Sequence, residues 1–304
     1  MTRAPHYPRL GLVLLVGLAI AWGVNWPMMK IVFAEFKPWT FRGFTCLAAG
    51  LMLLALARVS RVSLWPASGE WRRIAIASLF NVTSWHMLTA FGIMLLASGK
   101  ASVLAFTMPL WAALIGVVFL GERMSGRRAI ALALGLAGIL VLVSRDLGVL
   151  GDAPLGVLFI LAAAIGWAIA TLYQKRQEWT ISMLALAGWQ LLIGGVPIIV
   201  AIPLVEGLHI PQASPIAWLC TLYVVVVALV FAYFAWFKIV SLFPANVAAI
   251  GTLLTPVIGV LSGVLVLGEP FTWREMLALV LVGSALALVL IVPAPAARLA
   301  PADD

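Results

Sequence analysis

Residues 10–33 read LGLVLLVGLAIAWGVNWPMMKIVF, and no charged side chain occurs within residues 10–29. An α-helix needs about 20 predominantly apolar residues to cross the hydrocarbon core of a bilayer. The stretch therefore predicts a membrane-spanning helix. Its Ala19-Ile20-Ala21 resembles a signal-peptide cleavage site, but the apolar run continues beyond it, which favours a retained first helix.

The same pattern recurs along all 304 residues, of which 64% are hydrophobic and 10% are charged. Soluble domains carry about 25% charged residues, so this composition excludes a soluble enzyme, and it is too apolar for a disordered chain. Further apolar stretches of spanning length follow the first. The sequence predicts an all-α polytopic membrane protein with ten transmembrane helices, at 10–33, 38–57, 72–96, 101–120, 127–144, 155–175, 181–204, 215–238, 245–267 and 274–292.

The basic residues that give the chain its net charge of +8 are distributed unequally between the two sides of the membrane. With a cytoplasmic N-terminus and ten spans, 13 of the Lys and Arg residues fall on the inner side and 6 on the outer side, the latter being Lys30, Lys37, Arg42, Lys100, Arg145 and Arg274. Because basic residues favour cytoplasmic loops, both termini are predicted to be cytoplasmic. This distribution accounts for most of the basic excess without a nucleic-acid partner.

Two parts of the chain resemble each other in order. Residues 21–30 align with 166–175, which pairs Trp22 with Trp167, and residues 109–127 align with 256–274, which pairs Pro109 with Pro256. We therefore expect two repeats, residues 1–150 and 151–304, with five spans each. Because five is an odd number, the second repeat enters the membrane from the opposite side and is inverted. Inverted repeats place a substrate site near the midplane and support alternating access.

The paired Trp, the Leu-Gly-Glu after the fourth span of each half and the ten spans resemble the EamA-type transporters of the drug/metabolite transporter superfamily. The chain is most similar to the YddG-type bacterial exporters of aromatic amino acids. The resemblance implies a basket-like bundle of two inverted five-helix repeats around a central cavity. It also implies an inner-membrane location, an amino-acid substrate and a cavity lined mainly by helices 1, 3, 4, 6, 8 and 9.

Polar and aromatic side chains inside the spans give the candidate substrate site, because polar groups in a membrane are costly and face a cavity or another helix. In helix 1, Trp22, Asn25 and Trp26 share one face with Met29, as a cavity wall or as a packing surface. Helix 3 concentrates Asn81, Ser84, Trp85 and His86. His86 is either a hydrogen-bonded core residue or a substrate contact and proton carrier.

The remaining candidates are on helices 4, 6, 8 and 9. The predicted substrate contacts there are Thr107, Trp167, Thr171 and Tyr233. Pro109 and Pro256 lie in mid-span, where proline kinks a helix and frees a carbonyl group. They either contribute to gating and substrate binding or only shape the bundle. Glu122 and Glu269, at span ends, are expected near the N-termini of helices 5 and 10.

The sequence lacks several features that proton pumps, ATP-driven pumps and zinc enzymes use. No carboxylate occurs in the middle of a predicted span, and the sequence has neither a phosphate-binding glycine loop nor a zinc-binding His-Glu-x-x-His. Ser84 and His86 point apart on a helix, which argues against an enzyme. We expect no cofactor and no metal. A monomer could suffice, because one chain supplies both halves.

These observations predict a carrier embedded in the lipid bilayer that exports aromatic and other neutral amino acids. Without a buried carboxylate, transport down the gradient of the solute itself is the simplest mechanism, that of an uncoupled facilitator. Two alternatives stay open. One is an exporter of other small metabolites or drugs, such as sugars or purines. The other is a proton-linked antiporter that uses His86.

Overall fold

The computed structural model describes residues 9–122, 124–144, 153–208, 211–243 and 245–290, and these residues form helices and connecting turns without any strand. The helices are α1 Arg9–Phe33, α2 Pro38–Val59, α3 Glu70–Leu95, α4 Ser98–Leu120, α5 Gly126–Val143, α6 Ala153–Lys175, α7 Met183–Val205, α8 Pro215–Leu242, α9 Ala245–Leu267 and α10 Trp273–Leu290.

Eight of these helices, α1 to α8, are long and apolar enough to cross a membrane. Their limits agree with the predicted spans to within a few residues. Large apolar side chains such as Phe119 (78% exposed) and Leu204 (81% exposed) lie on the outside of the bundle, as expected of a surface in contact with lipid. The polytopic all-helical fold is confirmed, whereas membrane crossing by α9 and α10 stays a prediction.

The helix ends carry recognisable local signals. Ser125, Ser182 and Ser214 precede α5, α7 and α8, and each side chain accepts a hydrogen bond from a backbone N–H of the first turn. At the other end, α4 and α9 are followed by Gly121 (φ 69°) and Gly268 (φ 66°). Glycine adopts this left-handed conformation without the steric cost that a side chain would add.

The helices pack mainly across the two parts of the chain that residues 145–152 separate. Helix α2 packs on α7, and α5 packs on α10. Helix α1 packs on α8 and α9, and α6 packs in the same way on α3 and α4. Small residues allow a close approach of the backbones of α2 and α7. A Cβ added at Gly50 would lie 3.1 Å from the carbonyl oxygen of Gly188, and the reverse addition gives the same distance.

Three helices depart from regular α geometry in ways that hydropathy does not predict. A π-helical segment interrupts α3 at Leu79–Ser84, and another interrupts α8 at Val224–Phe231. Helix α4 is broken by a turn at residues 106–107, between the segments Ser98–Ala105 and Met108–Leu120. Segments of π-helix are rare and occur often at functional sites, so these interruptions bear on where the site lies.

Candidate functional site

Two of the tryptophan pairs that join helices from different parts of the chain contain predicted site residues. The ring centroids of Trp85 on α3 and Trp167 on α6 are 4.8 Å apart, and those of Trp22 on α1 and Trp236 on α8 are 6.2 Å apart. All four side chains are half-buried. The indole Nε1 of Trp22 donates to the carbonyl oxygen of Ala228, inside the π-helical segment of α8, at 3.2 Å.

The predicted polar face of α1 divides into two environments. Trp26 is 3% exposed and packs against α9, where a Cβ added at Gly259 would lie 3.5 Å from its Cδ1 atom. Asn25 is half-buried, and its Oδ1 atom is enclosed without a hydrogen-bond donor. Trp26 therefore belongs to a helix interface in this structure, while Asn25 offers an unused acceptor.

Asn81 on α3 belongs to a hydrogen-bonded chain of amides that joins three helices. Its Nδ2 atom donates to Oε1 of Gln190 on α7 at 2.7 Å, and Nε2 of Gln190 donates to Oε1 of Gln174 on α6 at 2.9 Å. Oδ1 of Asn81 is buried and has no donor. Gln190 lies outside the predicted set of site residues, and only its position opposite Asn81 reveals its role.

His86 is the second residue after the π-helical segment of α3. Its side chain is 3% exposed, and Nδ1 has no hydrogen-bond partner. The charge of Arg42, on α2, acts on the imidazole. The structure thus encloses His86 within the bundle and leaves one of its ring nitrogens available.

Arg42 lies outside the predicted set of site residues, since the charge count treats it only as one of the basic residues on the outer side of the membrane. Its side chain is only 2% exposed. Nη2 donates to Sδ of Met29 at 3.0 Å and to Oγ1 of Thr89 at 3.2 Å, whereas Nε has no partner. Its position inside a predicted span, in place of one flanking it, is the signal that could have identified it.

The other predicted residues make mostly local contacts. The hydroxyl of Thr107 donates to the carbonyl of Leu104 at 2.6 Å and accepts from Nε1 of Trp111 at 3.0 Å. The hydroxyl of Thr171 donates to the carbonyl of Trp167 at 2.9 Å. Tyr233 is half-buried and stacks on Phe237 with a centroid distance of 6.3 Å. None of these contacts includes the other predicted site residues beyond Trp167.

The two prolines behave differently. Pro109 stands in the first turn of the second segment of α4, directly after the break at residues 106–107. Pro256 lies inside α9, which continues as one helix from Ala245 to Leu267. The neighbouring Thr255 is fully buried, and its hydroxyl has no hydrogen-bond partner.

Carboxylates occupy helix ends in the described part of the chain. Glu269 accepts hydrogen bonds from the backbone N–H groups of Ser98 and Gly99, at 2.5 and 3.0 Å, and so caps α4, a contact that the sequence did not predict. Glu122 forms an ion pair with Arg128 in the first turn of α5, at 2.7 Å. These contacts match the preference of negative charge for helix N-termini.

Comparison with known proteins identifies the family. The profile of the EamA-like transporter family matches residues 9–144 and, a second time, residues 154–291. The chain belongs to this family. It is therefore a multi-pass membrane transporter of the drug/metabolite transporter superfamily.

Several bacterial proteins are similar over nearly the whole chain. "Uncharacterized transporter YvbV" of Bacillus subtilis is 30% identical over 285 residues, which cover 91% of this chain and 90% of the relative. "Probable amino-acid metabolite efflux pump" of Escherichia coli is 25% identical, covering 89% and 91%. "Uncharacterized inner membrane transporter YedA" of E. coli is 27% identical, covering 90% and 89%.

One solved crystal structure has the same fold. It superposes with a TM-score of 0.66 over 91% of this chain and 95% of its own, at 19% sequence identity. At this identity the likeness extends to the arrangement of helices alone.

Proposed function

We propose that this protein exports aromatic and other neutral amino acids across the bacterial inner membrane, by alternating access through a central site lined by tryptophans. The relative in E. coli named a probable amino-acid metabolite efflux pump supports the substrate class. The relative named an inner membrane transporter supports the location. The excess of basic residues in the predicted cytoplasmic loops supports cytoplasmic termini.

Alternating access requires two halves that move against each other, and we assign them to residues 1–150 and 151–304 as inverted repeats. Two matches to one family profile support this division. The helix contacts support it too. If helices five places apart are equivalent, the α1–α9 contact corresponds to α6–α4 and the α1–α8 contact corresponds to α6–α3. All four contacts are present. The π-helical segments of α3 and α8 also lie about one repeat apart.

The observation that carries the substrate assignment is a set of unused acceptors on the same helices as half-buried tryptophans. Oδ1 of Asn25 and Oδ1 of Asn81 are enclosed and have no donor. An unsatisfied buried acceptor costs about 1–3 kcal/mol, and a substrate ammonium would remove that cost. The half-buried Trp22, Trp85 and Trp167 offer ring faces to the same cation or to an aromatic side chain.

The test is uptake of labelled amino acids into proteoliposomes that contain the purified protein. We expect saturable uptake that unlabelled aromatic or neutral amino acids suppress, and loss of that uptake in a Trp167→Ala, Asn81→Ala double variant. Trp65→Ala is the matched control, because Trp65 is 68% exposed in the loop between α2 and α3. Uptake of sugars or purines in place of amino acids would contradict the proposed substrate.

A second candidate mechanism is proton-linked antiport through His86, favoured by the free Nδ1 of its ring. An uncoupled facilitator transports at the same rate with and without an imposed pH gradient, both in the wild type and in His86→Ala. A rate that rises with the gradient in the wild type but not in His86→Ala would establish antiport instead.

A further inference from the structure

Arg42 is a buried cation without a counter-charge among the described residues. Its side chain is 2% exposed on α2, well inside the bundle. Its hydrogen bonds go to a thioether, Sδ of Met29, and to a hydroxyl, Oγ1 of Thr89, and neither acceptor is charged. The remaining donors include Nε, which has no partner at all. A guanidinium has more donors than these two bonds use.

Neighbouring groups stabilise the charge only partly. The guanidinium carbon lies 5.3 Å from the ring centroid of Phe33 and 5.6 Å from that of Phe41. Cation–π contacts recover part of the cost of burying a charge, but a buried arginine ordinarily has an anionic partner. Charged residues within membrane spans tend to mark substrate and ion pathways.

We propose that Arg42 binds the carboxylate of the transported solute. The inference rests on the proposed function insofar as it takes the interior of the bundle as the solute path. The planar fork of a guanidinium matches a carboxylate in a bidentate pair. Two other candidate donors are already in use, because Nδ2 of Asn81 bonds to Gln190 and Nε1 of Trp22 bonds to Ala228.

The surroundings of Arg42 also contain an acceptor for the ammonium group of an amino acid. Arg42 contacts Met29 on α1, and Asn25 lies one helical turn, about 5.4 Å, from Met29 on the same helix. The free Oδ1 of Asn25 can accept from an ammonium, while Arg42 holds the carboxylate. The substrate class is thus a small monocarboxylate, with or without an α-ammonium group, whose body is apolar or aromatic.

Ligand-induced stabilisation of the purified full-length protein tests this assignment. The probes are phenylalanine against phenylalaninamide and phenylacetate against phenylacetamide, in chloride-free buffer, with the melting temperature as readout. We expect wild type to bind each carboxylate more tightly than its amide. In Arg42→Gln the apparent Kd of the carboxylates rises at least tenfold and that of the amides stays unchanged, which also shows that the variant is folded.

Two controls make the result specific. Arg72→Gln removes the same charge from an exposed position on α3 and should bind as wild type does. Arg42→Lys keeps the charge without the bidentate geometry and should lie between wild type and Arg42→Gln. Equal binding of carboxylate and amide by wild type, or equal behaviour of Arg42→Gln and Arg72→Gln, would overturn the proposal.

Chloride is the competing anion. A rise in melting temperature with chloride alone that depends on Arg42, together with no effect of the carboxylates, would assign the site to an inorganic ion and overturn the proposal. Failure of the proposed function has a different signature. In that case the carboxylate probes still bind through Arg42, whereas proteoliposomes take up no amino acid.

Discussion

Lys30 and Arg42 are two basic side chains near the end of the bundle where α1 meets α2, and their surroundings differ. Nζ of Lys30 donates to the carbonyl oxygens of Ile93, Met94 and Leu96, at 2.7, 3.1 and 2.8 Å, at the C-terminal end of α3. Arg42 is more deeply buried and has only a thioether and a hydroxyl as acceptors. The first charge is satisfied by three carbonyl oxygens, while the second keeps a donor, Nε, without an acceptor.

The difference between the two cations separates a structural role, that of Lys30, from a ligand-binding role, that of Arg42. A cation at a helix C-terminus neutralises unsatisfied carbonyls and contributes to stability. A buried cation without an anion costs stability, so its presence needs another explanation, and ligand binding supplies one. The same distinction applies to the amides, since both polar atoms of Gln190 are bonded, whereas Oδ1 of Asn25 is not.

The largest expected difference in the free energy of unfolding lies between Lys30→Met and Arg42→Met. The first change removes three charge-assisted hydrogen bonds and should lower the free energy of unfolding by about 2–4 kcal/mol. The second removes a buried charge in favour of an apolar side chain of similar length and should change it by no more than about 1 kcal/mol. Denaturant unfolding in detergent measures both, and a similar loss in the two variants would contradict the distinction.

The amides should show the same contrast on a smaller scale. Gln190→Ala leaves Asn81 and Gln174 without their partners and should cost about 1–3 kcal/mol of stability. Asn25→Ala removes an acceptor that bonds to nothing and should leave stability nearly unchanged, while the KM for amino-acid uptake rises about tenfold. Thermal unfolding and proteoliposome uptake, done on both variants, separate the two effects; an uptake KM unchanged in Asn25→Ala would count against its role.

The two carboxylates after the repeated Leu-Gly motif give a smaller contrast. Glu269→Gln weakens the cap on α4 and should lower stability by about 1–2 kcal/mol. Glu122→Gln removes a partly exposed ion pair with Arg128 and should cost at most about 0.5 kcal/mol. Melting temperatures of the two variants decide the order, and a larger loss in Glu122→Gln would reverse our interpretation.

The smallest effect concerns Glu35, in the exposed turn between α1 and α2. Its carboxylate accepts from the backbone N–H of Ser214 at 2.6 Å and from the hydroxyl of the same residue at 2.7 Å, which lowers the pKa of Glu35 below 4.5. Because the pKa is lower in the folded protein, the stabilisation is complete above pH 4.5 and is lost as the pH falls through the lowered pKa.

Glu35→Gln tests this pH dependence. The melting temperatures of wild type and variant should differ by a constant small amount near neutral pH and converge in acid. A difference that grows as the pH falls would contradict the sign of the shift. Glu178→Gln, at the opposite end of the bundle, is a control for the general loss of one carboxylate.

The candidate site could be predicted only in part. Trp22, Trp85, Trp167, Asn25, Asn81 and His86 stand out in the sequence because polar and aromatic groups are uncommon inside apolar spans, and their roles as substrate contacts stay predictions. Arg42 was missed because it lies one turn inside a span, where an arginine can also extend to the interface. Gln190 was missed because only the packing of α7 on α3 brings it to Asn81.

Local sequence also left the irregular helix geometry undetermined. The π-helical segments Leu79–Ser84 and Val224–Phe231 contain neither glycine nor proline, the residues that ordinarily signal an interruption. Pro109 and Pro256 occupy equivalent positions in the repeats, yet only α4 breaks, next to a hydroxyl of Thr107 that bonds to Leu104 and Trp111.

The sequence by itself determined the helical membrane fold, because hydrocarbon tolerates only backbones whose hydrogen bonds are satisfied within the segment, and long apolar runs meet that demand as helices. It also determined the family and which spans carry polar side chains. The tertiary structure alone decided which of those polar atoms find partners. Whether Asn81 on α3 finds Gln190 on α7, and whether Nε of Arg42 finds an acceptor, depends on distances between helices, and no local pattern along the chain encodes those distances.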